Sequence, residues 1–595
     1  MREYSVPASF TIPDDASMAD TVFRYEKESP NLVPFQRLVG GTWTDVTAAQ
    51  FAKEVKAVAK GLIASGIELG DRVAILSATR YEWVVLDYAI WTAGGCTVAI
   101  YETSAADQAQ WILEDSATKL LILETPAHAE ALKEVTEGAA DLREVLQIDA
   151  GAIDELTTRG AGISDEDLDT RRHQVKASAP ATLIYTSGTT GRPKGVQLTH
   201  ANFYAEVQAT QLALHDSMKE GNRTLMFLPM AHVFARAVSF GAFESKATIG
   251  HTSDITTLLD QFATFKPDFI LSVPRVFEKV YNSAKQKAHD GGKGGIFDKA
   301  AATAIEWSEA QDKGGAGLLL NIKHTVFDKL VYSKLRAALG GNCDRAISGG
   351  APLGARLGHF FRGVGIPVYE GYGLTETSAA ITVNTTAEQR IGSVGKPLNG
   401  HAAKIAEDGE LLLKGPVVFG GYWHNEKATA ESIVDGWFHT GDLGAIDQDG
   451  YVSITGRKKE IIVTAGGKNV APAVLEDALR AHALISQTLV VGDAKPFIGA
   501  LLTLDPEALP GWKERHNLTD ISFEDLKKHP DLVAEIDKAV ADANKKVSNA
   551  EQIKKYKILE QDFTVESGEL TPTMKLKRNI IHQERGSEIE SIYAK

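Results

Sequence analysis

The segment from Tyr185 to Gly195 reads YTSGTTGRPKG and continues an apolar run that begins at Leu183. Its glycines, Gly188, Gly191 and Gly195, permit positive φ angles, so successive backbone N–H groups can point at one anion. Its hydroxyl and ammonium donors are Thr186, Ser187, Thr189, Thr190 and Lys194. We therefore predict a buried strand that leads into a phosphate-binding loop. The alternative is a solvated turn rich in Ser, Thr and Gly.

This loop differs from the P-loop of ATPases and GTPases. In the P-loop, the lysine follows a glycine and precedes a serine or threonine. Here Pro193 precedes Lys194, and Gly195 follows it. The order of residues therefore disfavours a P-loop nucleotide hydrolase.

Strand-like and helix-like runs alternate before the loop. Thr47 can cap a helix that has one apolar face, and Gly66 can end it. Strand-like runs follow at residues 72–77, 97–101 and 119–123, with a helix-like run at 83–91. The alternation predicts an α/β fold with a mostly parallel sheet and right-handed crossovers. Ligands of such folds bind at the carboxyl ends of the strands, where the loop also falls.

Composition narrows the class of protein. The 595 residues are 44% hydrophobic, enough for about three to four domain-sized units. The net charge of −15 argues against a nucleic-acid binder with a basic face. Two cysteines give no disulfide framework, which fits a reducing cytoplasm. The N-terminus lacks a signal pattern, and no apolar run approaches the roughly 18 residues of a membrane span. Any membrane contact would be peripheral, at the inner face.

Two further glycine-rich segments follow strand-like residues. They read SGGAP at 348–352 and GYGLTET at 371–377. Tyr372 offers an aromatic face for stacking a purine. Glu376, flanked by Thr375 and Thr377, is a candidate magnesium (Mg2+) ligand, because this ion takes few protein oxygens beside substrate phosphates. Each segment alone is also typical of an ordinary tight turn.

Glycine-rich stretches bracket a helical segment at about 290–320. We interpret it as a helical insertion at the surface, and the simplest hypothesis is a flexible decoration without a catalytic part.

Six ordered motifs carry a family resemblance: YTSGTTGRPKG, SGGAPL, GYGLTET, GWFHTGDL, GRKKEIIVTAGGKNV and LTPTMKLKR. Because it carries all six motifs in this order, the chain resembles the adenylate-forming (AMP-binding) acyl-CoA synthetase superfamily. The segments LPMAHVFARA and VPRVFEKVY look like the long-chain fatty-acid CoA ligases, including the bubblegum-like branch.

The resemblance implies a two-step reaction. A fatty-acid carboxylate attacks the α-phosphate of ATP to give acyl-AMP and pyrophosphate, and coenzyme A (CoA) then displaces AMP to give acyl-CoA. It also implies a large multi-subdomain N-terminal domain with parallel α/β sheets at 1–458 and a small mobile α+β C-terminal domain at 459–595. Lys459 takes the hinge position, and Gly466 and Gly467 line the CoA path. A simple hairpin turn is the alternative for these two glycines.

The resemblance also assigns site residues. Lys575 is the catalytic lysine between carboxylate and α-phosphate, His232 lies beside the acyl carboxylate, and Thr375 belongs to the catalytic set. The Mg2+ ligands that it assigns are Glu376 and Thr186. The nucleotide-binding positions are Thr186, Ser187, Gly188, Thr189, Thr190, Gly191, Lys194, Gly350, Ala351, Pro352, Tyr372, Asp442 and Arg457. Some long-chain ligases gate the acyl tunnel with a tryptophan where this chain has Arg236, which could instead pair with a carboxylate or phosphate.

Three alternatives stay open in function. A fatty-acyl-AMP ligase would load a carrier protein, but no extra segment lies between Asp442 and Lys468 to hinder CoA use. A medium-chain or aryl acid CoA ligase differs only in substrate. A binding protein with a dead site is disfavoured because Lys194, Glu376 and Lys575 are all retained. Spacing reveals neither the acyl chain length nor the oligomeric state, for which a homodimer is one option.

Overall fold

The structure is a computed structural model that describes residues 1–186, 192–571 and 574–594. The strands of its first part are β1 (Glu3–Ser5), β2 (Phe35–Val39), β3 (Thr42–Val46), β4 (Arg72–Leu76), β5 (Cys96–Ile100), β6 (Leu120–Leu123), β7 (Glu144–Gln147) and β8 (Pro180–Thr186). The helices are α1 (Asp20–Glu28), α2 (Ala48–Ala64), α3 (Tyr81–Thr92), α4 (Ala106–Asp115), α5 (Pro126–Ala131), α6 (Lys133–Gly138), α7 (Ala152–Arg159) and α8 (Asp165–Arg172).

Local sequence signals explain where these elements start and stop. Thr47 caps α2. Its hydroxyl accepts a hydrogen bond from the Gln50 N–H, and the Gln50 side-chain oxygen accepts one from the Thr47 N–H. Gly66 takes a φ of +80° just beyond the helix, a conformation that favours glycine. The expected strand–helix alternation is confirmed, because β4, β5 and β6 run parallel with α3 between the first two.

The next part of the chain adds strands β9 (Lys194–Thr199), β10 (Arg223–Met226), β11 (Thr248–His251), β12 (Phe269–Ser272), β13 (Arg345–Ser348), β14 (Val368–Tyr372), β15 (Thr382–Val383) and β16 (Lys396–Pro397). Its helices are α9 (His200–Ala213), α10 (Val233–Glu244), α11 (Leu258–Phe265), α12 (Pro274–Asp290), α13 (Gly294–Gln311), α14 (Leu318–Phe327), α15 (Ser333–Ala338) and α16 (Ala355–Val364).

Helix α13 corrects the interpretation of residues 290–320 as a flexible surface decoration. The segment is helical, as expected, but Phe297, Ala300 and Ala304 are buried. A Cβ at Gly363 of α16 would come within 2.1 Å of the Ala304 carbonyl oxygen, so the two helices touch along their backbones. This close packing makes α13 part of the core.

The third part forms an antiparallel region. Its strands are β17 (Ala402–Ile405), β18 (Glu410–Lys414), β19 (Gly421–Tyr422), β20 (Ile433–Val434), β21 (Trp437–Ile446) and β22 (Val452–Arg457), with helix α17 (Glu426–Ser432). Strand β19 pairs with β9, so it joins the sheet that carries the phosphate loop.

The C-terminal part has strands β23 (Ile462–Val463), β24 (Asn469–Val470), β25 (Ile485–Val491), β26 (Ile498–Leu504) and β27 (Ile553–Leu559). Its helices are α18 (Pro472–Arg480), α19 (Ala508–Arg515), α20 (Phe523–Leu526), α21 (Pro530–Asn544), α22 (Arg578–Glu584) and α23 (Gly586–Tyr593). The part has apolar clusters of its own around Leu475, Leu502 and Ile536.

Sheet order places the site. A seven-stranded sheet runs β19-β9-β8-β5-β4-β6-β7, and β8 to β7 are parallel along this path. A second sheet runs β12-β13-β14-β15-β16, and its first three strands are parallel. The α/β fold class is thus confirmed, with parallel sheets in the larger part and a separate mixed three-stranded sheet near the C-terminus. Among the described residues, no helix is both long and apolar enough to cross a membrane.

Candidate active site

One large cleft of about 2830 Å³ collects most of the residues singled out in the sequence. The predicted residues on its wall are Thr186, Lys194, His232, Gly350, Ala351, Pro352, Tyr372, Thr375, Glu376, Asp442, Arg457, Lys459 and Lys575. The predictions for Ser187, Gly188, Thr189, Thr190 and Gly191 fall outside the described residues. Gly466 and Gly467 do not line this cleft in the conformation described.

Strand pairing assembles the first polar cluster. Asp442 on β21 lies opposite Arg457 on β22, with 3.2 Å between Asp442 Oδ1 and Arg457 Nε. The Tyr372 hydroxyl, at the end of β14, donates to Asp442 Oδ2. Asp442 is buried whereas Arg457 stays exposed to the cleft. The cluster can therefore accept hydrogen bonds through Asp442 and donate them through Arg457.

A second cluster surrounds Glu376. The Tyr422 hydroxyl donates to Glu376 Oε1 at 2.8 Å, and burial raises the pKa of this carboxyl. The Lys194 ammonium lies 4.9 Å from the centre of the Tyr422 ring. Sequence reasoning missed Tyr422 because only the pairing of β19 with β9 brings it to the phosphate loop.

His232 is held as a neutral imidazole. It caps the N-terminus of α10, where its Nδ1 accepts a hydrogen bond from the Phe234 N–H at 3.2 Å. Burial lowers the pKa of His232 to about 3, and the nearby Lys575 ammonium acts in the same direction. Because Nδ1 is an acceptor, the ring proton lies on Nε2, where it can be donated to an oxygen in the cleft.

Lys575 reaches the same cleft from the C-terminal part. Its backbone N–H donates to Thr571 Oγ1 at 3.0 Å. The residue keeps contact with solvent in the cleft, but desolvation by the surrounding protein lowers the pKa of its ammonium to about 8. Arg457 lowers this pKa further, and the carboxylates of Asp442 and Glu376 oppose the shift. Lys575 lines the same cleft as the residues of both polar clusters.

Side-chain contacts hold the C-terminal part over the cleft. Arg275 on α12 donates to Asp505 at 3.1 Å. Lys279, one turn further along α12, pairs with Glu507 at 2.7 Å. At the end of the same helix, Asp290 pairs with Arg515 at 2.9 Å. Helix α12 therefore provides three side-chain contacts that hold the C-terminal part in the orientation that brings Lys575 into the cleft.

Arg236 does not reach the cleft, and the expectation that it could pair with a substrate carboxylate or phosphate is wrong. It is 0% exposed. Its Nη2 donates to Asp87 Oδ1 at 2.7 Å, its Nε donates to Asp87 Oδ2 at 3.1 Å, and its Nη1 donates to Thr182 Oγ1 at 2.7 Å. These hydrogen bonds join α10 to α3 and β8. Arg236 therefore helps to position α10, which begins just after His232, without lining the cleft itself.

Glu370 is a further cleft residue that no sequence motif singled out. It lies on β14 just before GYGLTET, and one carboxyl oxygen accepts the Leu353 N–H at 2.9 Å. Burial raises the pKa of Glu370 to about 7. In the sequence, the only indication that Glu370 has a role is that this charged residue occurs in the strand VYEGY, whose other residues are uncharged.

Family comparisons agree with this geometry. The model of the AMP-binding enzyme family matches residues 24–423, and that of the AMP-binding enzyme C-terminal domain matches residues 459–595. The chain belongs to the AMP-binding enzyme family. The resemblance drawn from the six motifs is thereby confirmed.

Relatives of this AMP-binding enzyme include long-chain-fatty-acid–CoA ligase FadD15 of Mycobacterium bovis, which is 58% identical over 100% of both chains. Long-chain-fatty-acid–CoA ligase ACSBG2 of Xenopus laevis is 31% identical over 93% of this chain and 80% of its own length. The solved anthranilate CoA ligase AuaEII, in complex with anthranoyl-AMP, superposes with a TM-score of 0.73 at 18% identity, covering 96% of this chain and 98% of that one.

Proposed function

We propose that this AMP-binding enzyme is a long-chain fatty-acid CoA ligase that uses ATP, Mg2+ and CoA. The observation that carries the proposal is the convergence of Lys575, His232, Asp442 and Glu376 on one cleft. Part of the lining of the same cleft is apolar, and we call this part the apolar channel; its residues include Leu214, Met218, Phe227, Val233 and Val238. The full-length relative FadD15 bears the same activity in its name.

Charge and hydrogen bonds suit the first half-reaction. A carboxylate and the α-phosphate of ATP repel each other, so a cation between them lowers the barrier. Lys575 supplies that cation. His232 Nε2–H donates to the acyl carboxylate and orients it, and no general base is needed because the carboxylate is already the nucleophile. Asp442 and Arg457 hold the ribose hydroxyls, and Tyr372 offers its ring to the purine.

The residues present also suit Mg2+. Glu376 and Thr186 provide hard oxygen donors on the cleft wall, and the Tyr422 hydroxyl occupies one Glu376 oxygen, which leaves the other for the ion. Bound there with the nucleotide phosphates, Mg2+ would neutralise phosphate charge. The backbone of Gly350, Ala351 and Pro352, with Thr375, completes the nucleotide wall.

The second half-reaction needs a different orientation of the C-terminal part. Lys575 lines the cleft in the conformation described, whereas a CoA thiol must approach the acyl-AMP. We propose that residues 459–595 pivot at Lys459 relative to residues 1–458, and that Gly466 and Gly467 then line the CoA path.

Two half-reaction assays test the function. Palmitate-dependent exchange between ATP and pyrophosphate reports adenylation, and CoA-dependent release of AMP reports the ligase step. We expect both. Exchange without CoA-dependent AMP release would instead identify an adenylate-only enzyme that loads a carrier protein, and activity confined to medium-chain or aryl acids would contradict the long-chain assignment.

We propose cytoplasmic localisation with peripheral contact to the anionic inner face of a membrane. Helix α14 and the turn after it expose an apolar stripe in which Leu318 is 78% and Leu319 is 76% exposed. The stripe continues at four-residue spacing through Ile322, Val326 and Leu330. Exposed Lys323, Lys329 and Lys334 lie beside it in a chain whose net charge is −15. An apolar stripe with local positive charge fits a lipid surface.

Co-sedimentation with vesicles of phosphatidylglycerol and phosphatidylcholine tests this contact. We expect binding that Leu319→Glu with Ile322→Glu abolishes while activity toward micellar palmitate persists. The native protein could instead fail to bind the vesicles and elute from a sizing column as a dimer. If the same pair of substitutions makes that dimer monomeric, the stripe is a homodimer interface.

A further inference from the structure

The apolar channel of the cleft has one wall with a simple geometry. Glu206, Thr210, Leu214 and Met218 line it at four-residue spacing, beginning on α9 and continuing just past its end. The helical part of this wall, from Glu206 to the end of α9 at Ala213, spans about two turns, and Leu214 and Met218 follow beyond the helix. On α10 the lining residues Val233, Ala237 and Val238 follow His232.

Glu206 is the exception on this wall. It is 1% exposed, and its Oε1 accepts a hydrogen bond from the Ala380 N–H at 3.1 Å. Its Oε2 is buried and has no hydrogen-bond partner within the described residues. The Thr210 hydroxyl, one turn away, is engaged with the Glu206 carbonyl oxygen at 2.7 Å and does not compensate. Buried polar atoms without partners destabilise a fold, so such an atom calls for a partner that is not in the chain itself.

The protonation state of Glu206 decides which partner would suit it. Burial raises the pKa of its carboxyl well above the usual range, and only the Ala380 N–H opposes this shift. Burial therefore favours the neutral carboxyl, which has one O–H donor and remaining acceptor capacity. An alcohol hydroxyl, which also donates and accepts, matches both roles, whereas a methylene of an unsubstituted chain matches neither.

We propose that Glu206 is a specificity-determining residue that favours long-chain acids carrying a hydroxyl group part-way along the chain, through a hydrogen bond between Oε2 and that hydroxyl. The inference rests on the proposed acyl-CoA ligase function and refines its substrate class. Sites that hydrogen-bond a substrate hydroxyl reject the analogue lacking it far more strongly than apolar pockets reject an extra hydroxyl.

The test is a positional series of monohydroxyhexadecanoic acids compared with hexadecanoic acid. The measured quantity is the kcat/KM of each hydroxy acid divided by that of the unsubstituted acid. We expect a maximum in this ratio at one or two adjacent positions, and we expect Glu206→Leu to lower that maximum about tenfold or more. Glu206→Gln keeps both an acceptor for the Ala380 N–H and an N–H donor, so the maximum should persist within a few-fold.

Thr210→Val serves as the matched control. Its hydroxyl is committed to the backbone, so its removal should leave the position of the maximum unchanged. A native ratio near one at every position would overturn the proposal and would mean that water alone satisfies Oε2. An unchanged maximum in Glu206→Leu would overturn it as well. If Glu206→Leu does not fold, the native series with Glu206→Asp decides, because a carboxyl one methylene shorter should shift or remove the maximum, and an unchanged maximum would overturn the role of Glu206.

The measurements distinguish a failure of the proposed ligase function from a failure of the role of Glu206. If neither hexadecanoic acid nor any of the hydroxy acids supports pyrophosphate exchange or AMP release, the ligase assignment is wrong. If hexadecanoic acid is turned over and no hydroxy acid is favoured, only the role of Glu206 is wrong.

Discussion

Lys575 shows how one side chain can depend on two parts of the chain. Its loop belongs to the C-terminal part, yet the charges that set its pKa include Arg457, Asp442 and Glu376 from the cleft. A pKa of about 8 leaves the ammonium mostly protonated near pH 7, so it can stabilise the negative charge that develops during adenylation.

Removing this charge should separate the two half-reactions. We expect Lys575→Ala to slow acyl-AMP formation by about a hundredfold or more, while transfer of supplied acyl-AMP to CoA stays within a few-fold of native. Single-turnover assays with isolated acyl-AMP measure both. Lys577→Ala, which removes a charge two residues away, is the control, and equal loss in both half-reactions would contradict the role assigned to Lys575.

The pH dependence of adenylation should report the same group. Above pH 8 the Lys575 ammonium loses its proton, so kcat/KM for adenylation should fall as pH rises through about 8. Lys575→Arg keeps its charge over this range, so its profile should lose this alkaline limb even if its rate is lower. A limb at the same pH in both proteins would show that another group titrates.

At the scale of elements, Arg236 joins three of them. It lies on α10, four residues after His232, and binds Asp87 of α3 and Thr182 of β8. The aromatic rings of Trp83, Trp91 and Phe240 lie within 6 Å of its guanidinium carbon. The pair therefore sets how α10, and with it His232, lies against the strand that leads to the phosphate loop.

Breaking the pair should cost stability. Arg236→Met leaves Asp87 buried without its partner, and we expect the free energy of unfolding to fall by about 3–5 kcal/mol. Replacing both, as Arg236→Met with Asp87→Leu, should recover much of this loss because no buried charge remains. Urea unfolding followed by circular dichroism measures both variants. A double variant as unstable as the single one would show that the aromatic packing, not the charge pair, dominates.

The helices also show which structural features could be predicted from local sequence patterns alone. The cap at Thr47 and the turn at Gly66 lie within a few residues of the helix ends that they set, so both can be predicted without a structure. Helix α13 was legible as a helix, but its packing against α16 was not. That packing depends on Gly363, about sixty residues away, and no local pattern records which face meets which neighbour.

At the scale of the whole molecule, the described conformation is one in which α12 holds the C-terminal part over the cleft. Arg275 and Lys279 pair with Asp505 and Glu507 across that interface, and all four residues line the same cleft as Lys575. If the proposed pivot at Lys459 occurs, these contacts belong to the adenylating orientation and must break before CoA reacts.

The interface should therefore bias the two half-reactions in opposite directions. We expect Arg275→Ala with Lys279→Ala to slow adenylation about three- to tenfold and to leave transfer from supplied acyl-AMP unchanged or faster, because a partly exposed ion-pair cluster contributes of order 1 kcal/mol. Rapid-quench measurement of each step tests this. Arg390→Ala breaks ion pairs with Asp447 and Asp449 away from the interface and is the control. Equal slowing of both steps would contradict the bias.

By itself, the sequence determined the α/β class, the family and most of the polar residues of the cleft. Those inferences depend on short motifs such as YTSGTTGRPKG and LTPTMKLKR, whose chemistry is local. The tertiary structure alone decided that Arg236 is buried, that Tyr422 donates a hydrogen bond to Glu376 and that Glu206 lines the cleft. Each depends on burial or on pairing between distant segments, and the free energy of a buried charge or an unpaired carboxyl is set by neighbours that no spacing along the chain specifies.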